Sequence, residues 1–337
     1  MKKRCILTGI AAIAVLACTV KIIFFSQAKV EENAPEYVFY YADNQTEDYP
    51  TTLGDQKFAD LVYERTDGRI KILVKCDSQL GSEEEVIEQL KYGGIAFARV
   101  SNTQLAEKVP ELSVLNLPYL YNDSNHMWRV LDGKIGDEYL SKVQKYDLIG
   151  LSWYDAGARS FYSTEKAIKT VEDCQGMNIR VQKSAMMSDM VSALGANPVE
   201  IDYSNVYSAL EKGTVDGAEN NWPSYEAKSH YKLAKYFTVD EHMRIPEMQI
   251  CSKVVWNRLD QNDRDIIKAC AIESATYERT LWNQRENEAK LTAVKNGTQV
   301  ISLSPEEKQR FRDAMLGVYE KYCGNYMDEV TRIIECE

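Results

Sequence analysis

The sequence predicts an α/β fold of two lobes joined by one long helix. Three observations predict it. The chain has 337 residues, enough for two domains of roughly 100–200 residues each. Strand-like and helix-like segments alternate over residues 37–100 and again over 147–218, the pattern of sheets covered by helices. From Gln261 to Lys295 a helical pattern runs without proline or glycine. About 35 residues at 1.5 Å each is roughly 50 Å, longer than one small domain.

The elements follow in order. Tyr37–Tyr41 reads as a buried strand and Asp43 to Pro50 as a polar, solvated loop containing Glu47, Asp48 and Tyr49. A helix over about Thr52–Thr66 is closed at Asp67-Gly68, because glycine tolerates the left-handed backbone of a helix end. Ile70–Val74 alternates as a strand. Ser82 and Glu85 have the spacing of a capping box, in which each side chain bonds the other's backbone N–H. That helix reaches Tyr92, stops at Gly93-Gly94, and Ile95–Val100 is the next strand. Strand, helix, strand, helix, strand implies a mainly parallel sheet.

The pattern resumes with strands over Asp147–Tyr154 and Met177–Val181 and a helix over Ala185–Leu194 closed by Gly195. Ser204 is expected to cap a helix to Lys212, and Thr214–Ala218 reads as a strand end. A second lobe begins near Gly157. Ser304-Pro305-Glu306-Glu307 opens the last helix with a second capping box.

The first residues read as an address. Lys2, Lys3 and Arg4 precede an apolar run from Cys5 to Val20, the layout of an export signal. Ser26-Gln27-Ala28 suits cleavage, Val15-Leu16-Ala17-Cys18 suits lipidation at Cys18, and an uncleaved anchor interrupted by Lys21 is a third option. Residues 29–36 form a polar linker. Removing the leader's four basic residues takes the formal charge from -11 to -15. Such a surface repels phosphate backbones and argues against a nucleic-acid partner.

Six cysteines follow the leader, at 76, 174, 251, 270, 323 and 336. Six allow fifteen pairings, and without C-x-x-C spacing they give zinc or redox chemistry little support. Phosphate-loop, nucleophile-elbow and H-E-x-x-H motifs are missing. The histidines His126, His230 and His242 are scattered and read as structural. Neither a cofactor nor a metal is expected, and an enzyme would have to work with carboxylates alone.

Ligands of open α/β sheets bind at the carboxyl ends of strands. Arg99, Arg159 and Arg180 fall at or just after such ends, and Glu219-Asn220-Asn221-Trp222 follows another. Three arginines directed at one cleft of an acidic protein suit an anion, since a guanidinium grips a carboxylate with two parallel bonds. Trp153 and Trp222 read as packing residues rather than stacking platforms.

Four stretches carry a family resemblance: Gly157-Ala158-Arg159-Ser160-Phe161-Tyr162, Gly176-Met177-Asn178-Ile179-Arg180-Val181-Gln182, Val206-Tyr207-Ser208-Ala209-Leu210, and Val215-Asp216-Gly217-Ala218-Glu219-Asn220. Together they resemble the substrate-binding proteins of TRAP transporters, the DctP family, over about residues 37–330. Gln79-Leu80-Gly81 and Asn116-Leu117-Pro118-Tyr119 fit as well.

The resemblance implies a two-lobed, periplasmic-binding-protein-like fold with the long helix spanning both lobes. Lobe I would comprise 37–156 plus about 246–285, and lobe II 157–245 plus about 286–337. It implies a ligand carboxylate held by Arg180, with Arg159 as a second contact, Asn220 orienting the ligand and Tyr203 lining the pocket. Glu83 and Arg99 stand where the first lobe contributes contacts. Trp153-Tyr154-Asp155-Ala156-Gly157, Glu219-Asn220-Asn221-Trp222-Pro223-Ser224-Tyr225 and Asp240-Glu241-His242 resemble the hexuronate-binding branch. There Asn44, Gln45, Glu83 and Asn220 would meet hydroxyls.

Two positions depart from the family pattern. Ala96 stands where an aspartate is usual, and Ser204-Asn205 replace glycine-glutamate. The implied partners are a small organic acid and the membrane permease subunits, the chain itself being a monomer outside the cytoplasm. Two rivals remain. One is a hydrolase of uronate sugars using Asp216 and Glu219. The other is a binding protein that serves a sensor.

Overall fold

The computed structural model describes residues 34–336. The leader, with its cleavage, Cys18 lipidation and anchor alternatives, lies outside the described residues, as does most of the linker. No described helix is long and apolar enough to cross a membrane.

Two sheets form the two lobes. The first contains β1 (Tyr37–Ala42), β2 (Ile70–Lys75), β3 (Phe97–Ser101), β4 (Leu148–Tyr154) and β10 (Glu247–Ser252). Its order is β2-β1-β3-β10-β4. The second contains β5 (Arg159–Ser163), β6 (Asn178–Val181), β7 (Asn197–Glu200), β8 (Gly217–Asn220), β9 (Tyr236–Met243) and β11 (Gln299–Ser302). Its order is β11-β9-β5-β8-β6-β7.

The alternation over 37–100 does give parallel pairing of β1 with β2 and β3. Both sheets are mainly parallel, as the alternation implies, but each carries one reversed strand. β10 runs antiparallel to β3 and β4, and β5 runs antiparallel to β8 and β9. The reason is the crossover. β5 follows β4, and β10 follows β9, through short connections at the cleft. A chain that enters a sheet from its cleft edge runs against the strands that point toward that edge.

Local signals set the elements that frame the cleft. Helix α1 (Pro50–Arg65) carries proline in its first turn, where a missing N–H costs nothing. It ends before Asp67 and Gly68, at φ 51° and 79°. Helix α2 (Glu83–Lys91) has the complete Ser82–Glu85 capping box, which fixes the position of Glu83. At the C-terminus Ser304 accepts from the Glu307 N–H. Glu307 itself turns to Arg310, at 2.8 Å, so that cap is one-sided. Ser204 does not cap. It lies within a short 3-10 turn, Tyr203–Asn205, that runs into the helix Val206–Glu211. β1 is half-buried, with Val38 and Tyr40 exposed.

Helix α3 (Trp222–Ala227) packs on the second sheet. Helix α4 is the long one, Gln261–Lys295, with the bounds the sequence predicts. It contacts α1 of the first lobe and α3 of the second. Near its middle it meets the crossover: Ser274 bonds the Tyr154 hydroxyl at 2.9 Å, and Glu278 accepts from the Asp155 N–H at 2.9 Å. The last segment also touches both lobes. Phe311, Met315, Val330 and Ile333 share one core with Tyr139 and Phe161. No described cysteine is disulfide-bonded.

Gly157 sits in the crossover between β4 and β5 at φ +58°. A Cβ there would lie 2.8 Å from Glu286 Oε1 and 2.9 Å from Trp282 Nε1. Gly157→Ala combines a left-handed backbone with that crowding. It is expected to cost about 1–3 kcal/mol, read as a lower denaturant midpoint at unchanged slope.

Candidate functional site

A cavity of about 250 Å³ lies between the two sheets. All eight residues singled out from the sequence line it. Asn44, Gln45, Glu83 and Arg99 come from the first sheet side, and Arg159, Arg180, Tyr203 and Asn220 from the second. The cavity brings the predicted set together, but the three arginines stand in different electrostatic states.

Arg180 lies in β6 and is 1% exposed. Its Nε donates to the Ile201 carbonyl at 2.8 Å. Its Nη1 is buried with no hydrogen-bond partner among the described residues. Burial lowers its pKa from the usual arginine value, yet a guanidinium remains charged at any ordinary pH. A buried cation with open donors and no paired carboxylate among the described residues can take an anion.

Arg159, in β5, is already paired. Its Nε and Nη2 meet the two carboxylate oxygens of Glu219 at 2.5 and 2.6 Å, and Nη1 meets Asn220 Oδ1 at 3.0 Å. The partner is a second-lobe residue, so this is not a bridge between lobes. Glu219 also faces His242 Nε2 at 3.5 Å, and His242 Nδ1 lies 2.9 Å from Asp240. Against the cost of burial, Arg159 and His242 hold the Glu219 carboxyl down to about 2. Burial likewise opposes the charge on His242, but Asp240 and Glu219 raise its pKa to about 9. Arg159, Glu219, His242 and Asp240 thus form a buried alternating charge row behind the cavity. His242 is structural, as expected, but it stands one residue away from a cavity arginine.

Arg99, in β3, is saturated. A guanidinium has five N–H donors. Nε meets Asp43 Oδ2 at 3.2 Å. Nη1 meets Glu83 at 3.2 Å and Glu247 at 2.9 Å. Nη2 meets Asp43 and, at 2.6 Å, Asn44 Oδ1. Arg99 lines the cavity where a first-lobe contact is expected, but its N–H groups are all engaged by protein oxygens. Arg99 has no donor left, and serves to hold Asp43, Glu83 and Glu247 together at the cavity wall. Burial pushes the Glu83 carboxyl up to about 7 against the pull of Arg99, and raises Glu247 as well.

The remaining polar groups line the space between. Tyr203 is partly buried, and its hydroxyl donates to the Ser224 carbonyl at 3.3 Å. Asn220 Oδ1 is occupied by Arg159 and by the Asn221 N–H at 2.9 Å, which leaves its amide NH₂ for other use. Gln45 has a buried side-chain oxygen without a partner. Tyr49 is not in a solvated loop. It is 1% exposed, its hydroxyl lies 2.9 Å from Ser224 Oγ, and its ring meets Trp282 edge-on at 5.8 Å. Trp153 and Trp222 pack, the latter stacked on Phe237 at 3.6 Å.

Sequence reasoning missed Glu247 and Tyr49, both of which line the cavity. Glu247 follows Pro246 at the first position of β10; β10 is the reversed strand of its sheet, so its amino end faces the cavity and a search of carboxyl ends passes it over. Tyr49 precedes the proline that opens α1. The rival carboxylate pair fares differently. Asp216 accepts from the Asn178 N–H at 2.7 Å, Glu219 is consumed by Arg159, and neither lines the cavity. No described group of His, Cys, Asp and Glu is arranged to hold a metal.

Two sheets joined by short crossovers and a common helix, with an unpaired buried cation between them, define a receptor that encloses a small anion. The sequence comparisons give the class a family. The model of the bacterial extracellular solute-binding proteins, family 7 (DctP), matches residues 41–325, and the chain belongs to that family. Among solved structures, it is similar to a TRAP periplasmic solute-binding protein from Bradyrhizobium sp. BTAi1 in complex with α/β-D-galacturonate. The identity is 39%, covering 88% of this chain and 99% of that one, with a TM-score of 0.86. A TRAP periplasmic solute-binding protein from Pseudomonas putida F1 with bound D-glucuronate is 35% identical, covering 88% and 97%, with a TM-score of 0.86. A solute-binding protein from Chromohalobacter salexigens is 32% identical over 274 residues, covering 81% of each chain.

Proposed function

We propose that this chain is the extracytoplasmic receptor of a TRAP transporter and that it captures a hexuronate, D-galacturonate or D-glucuronate. The observation that carries the reading is the buried Nη1 of Arg180, which has no partner. The uronates bound in two similar structures support the choice of sugar acid. The ligand carboxylate takes Arg180, with the remaining Nη1 hydrogen of Arg159 beside it. Sugar hydroxyls donate to Glu83 and Glu247 and accept from the Asn220 amide. Contacts come from both lobes, so the closed arrangement is the one that satisfies the whole ligand. The loaded receptor docks on the membrane permease subunits and releases the acid unchanged.

The test is a thermal melt with each uronate. A ligand present at a thousandfold excess over its Kd adds about 4 kcal/mol by mass action, a shift of several degrees. No shift with either uronate rejects the hexuronate reading. Recovering an altered sugar after incubation would instead favour an enzyme.

A further inference from the structure

The two walls of the cavity differ in what they can offer a ligand. On the second-sheet side Arg180 presents open donors. On the first-sheet side every donor of Arg99 is spent on Asp43, Asn44, Glu83 and Glu247. That leaves three carboxylates around one guanidinium, two of which, Glu83 and Glu247, line the cavity. The other two cations at the cavity are engaged as well, Arg159 by Glu219 at 2.5 Å and Lys183 by Asp202 at 3.3 Å and Glu84 at 3.7 Å.

A hydroxyl can donate to a carboxylate, whereas a second ligand carboxylate cannot. Asp43 and Glu247 outnumber the single charge of Arg99 even where burial leaves Glu83 part-protonated, so a second ligand carboxylate would bring like charge to a negative wall in a space where burial weakens solvent screening. We propose that Glu247, together with Glu83, is a charge filter that admits polyhydroxy monocarboxylates and excludes the matching dicarboxylates. The inference rests on the receptor reading above and deepens it. Glu247 is 8% exposed and bonded to Arg99 through one carboxylate oxygen, Oε2, while Glu83 meets both Arg99 and the Ser101 N–H through Oε1. The other oxygen of Glu247 is not engaged by Arg99.

The experiment is calorimetric titration of matched acids into the wild type, Glu247→Gln and Glu83→Gln, with circular dichroism melts to establish folding. One pair is D-glucuronate and D-glucarate, and the other is 3-hydroxybutyrate and malate. The wild type is expected to prefer the monocarboxylate of a pair by at least 100-fold. Glu247→Gln is expected to narrow that ratio at least tenfold, chiefly by admitting the diacid. A diacid binding within threefold of its partner in the wild type overturns the filter. So does an unchanged ratio in both folded variants, or no binding of any of the four acids. If glucuronate fails while 3-hydroxybutyrate is still preferred over malate, the filter stands and the hexuronate reading falls.

Discussion

Arg180→Met is expected to weaken uronate binding severely while raising the melting point of the ligand-free protein. The two effects have one cause. Truncating one partner of a buried, hydrogen-bonded charge pair costs about 2–5 kcal/mol of binding, or roughly 30- to 5,000-fold in Kd. Without ligand the same guanidinium is a liability. It is 1% exposed, its Nη1 has no partner, and burial pulls its pKa down. Replacing such a charge with an apolar side chain of similar length is expected to stabilise by about 1–2 kcal/mol, within the range seen for buried ionic groups. Calorimetric titration and a melt without ligand read the two signs independently. A lower melting point for the variant would show that Arg180 is held by structural partners. Arg180→Lys keeps the charge but not the fork, and is expected to recover only a small part of the affinity.

The second large effect concerns the row behind the cavity. His242 is raised from 6.5 to about 9 by Asp240 and Glu219, against the opposing cost of burial. A folded-state pKa above the unfolded value means that protonation favours folding. The contribution is full below about pH 6.5 and is lost as pH rises through about 9. A shift of that size corresponds to about 3 kcal/mol. His242→Gln removes the charge, so the stability gap to the wild type is expected to be widest below pH 6.5 and to close toward pH 9. Buried carboxylates out of contact with His242 also respond to pH, but their effects are common to both proteins and cancel in the difference; Glu219, held down to about 2 partly by His242, keeps Arg159 as its partner in the variant. Urea midpoints at pH 6, 7.5 and 9 would show it. A gap independent of pH would mean that His242 is neutral in the folded protein.

The elements the sequence revealed were those with local punctuation. The Ser82 cap, the Asp67-Gly68 stop and the uninterrupted run of α4 needed no knowledge of the rest of the fold. β10 had no such mark. It is buried along its whole length, yet carries Glu247, Gln249 and Ser252, so neither alternation nor an apolar run betrays it. Its polar groups are satisfied by strangers in sequence. Gln249 accepts from Ser152 at 3.1 Å and donates to Tyr154 at 3.2 Å.

The site followed the same division. Residue type and strand ends placed Arg99, Arg159 and Arg180 in one cavity. They did not reveal that Asp43 and Glu219 neutralise two of the three. Asp43 is separated from Arg99 by 56 positions and Glu219 from Arg159 by 60. Such distant pairing is decided by the approach of strands, which periodicity does not report.

The unequal walls of the cavity also bear on how a captured acid leaves. The receptor is a chelator with two dissimilar arms. In the binding mode proposed above, the second lobe holds one ionic end, and the first lobe holds hydroxyls. Neither arm alone grips tightly, because each depends on the effective concentration that the other provides. When the lobes part, the arm with less energy per contact lets go first. On that binding mode the sugar end is freed while the carboxylate is still seated on Arg180. Unloading is thereby ordered from one end of the ligand to the other, and the acid is offered outward hydroxyls first.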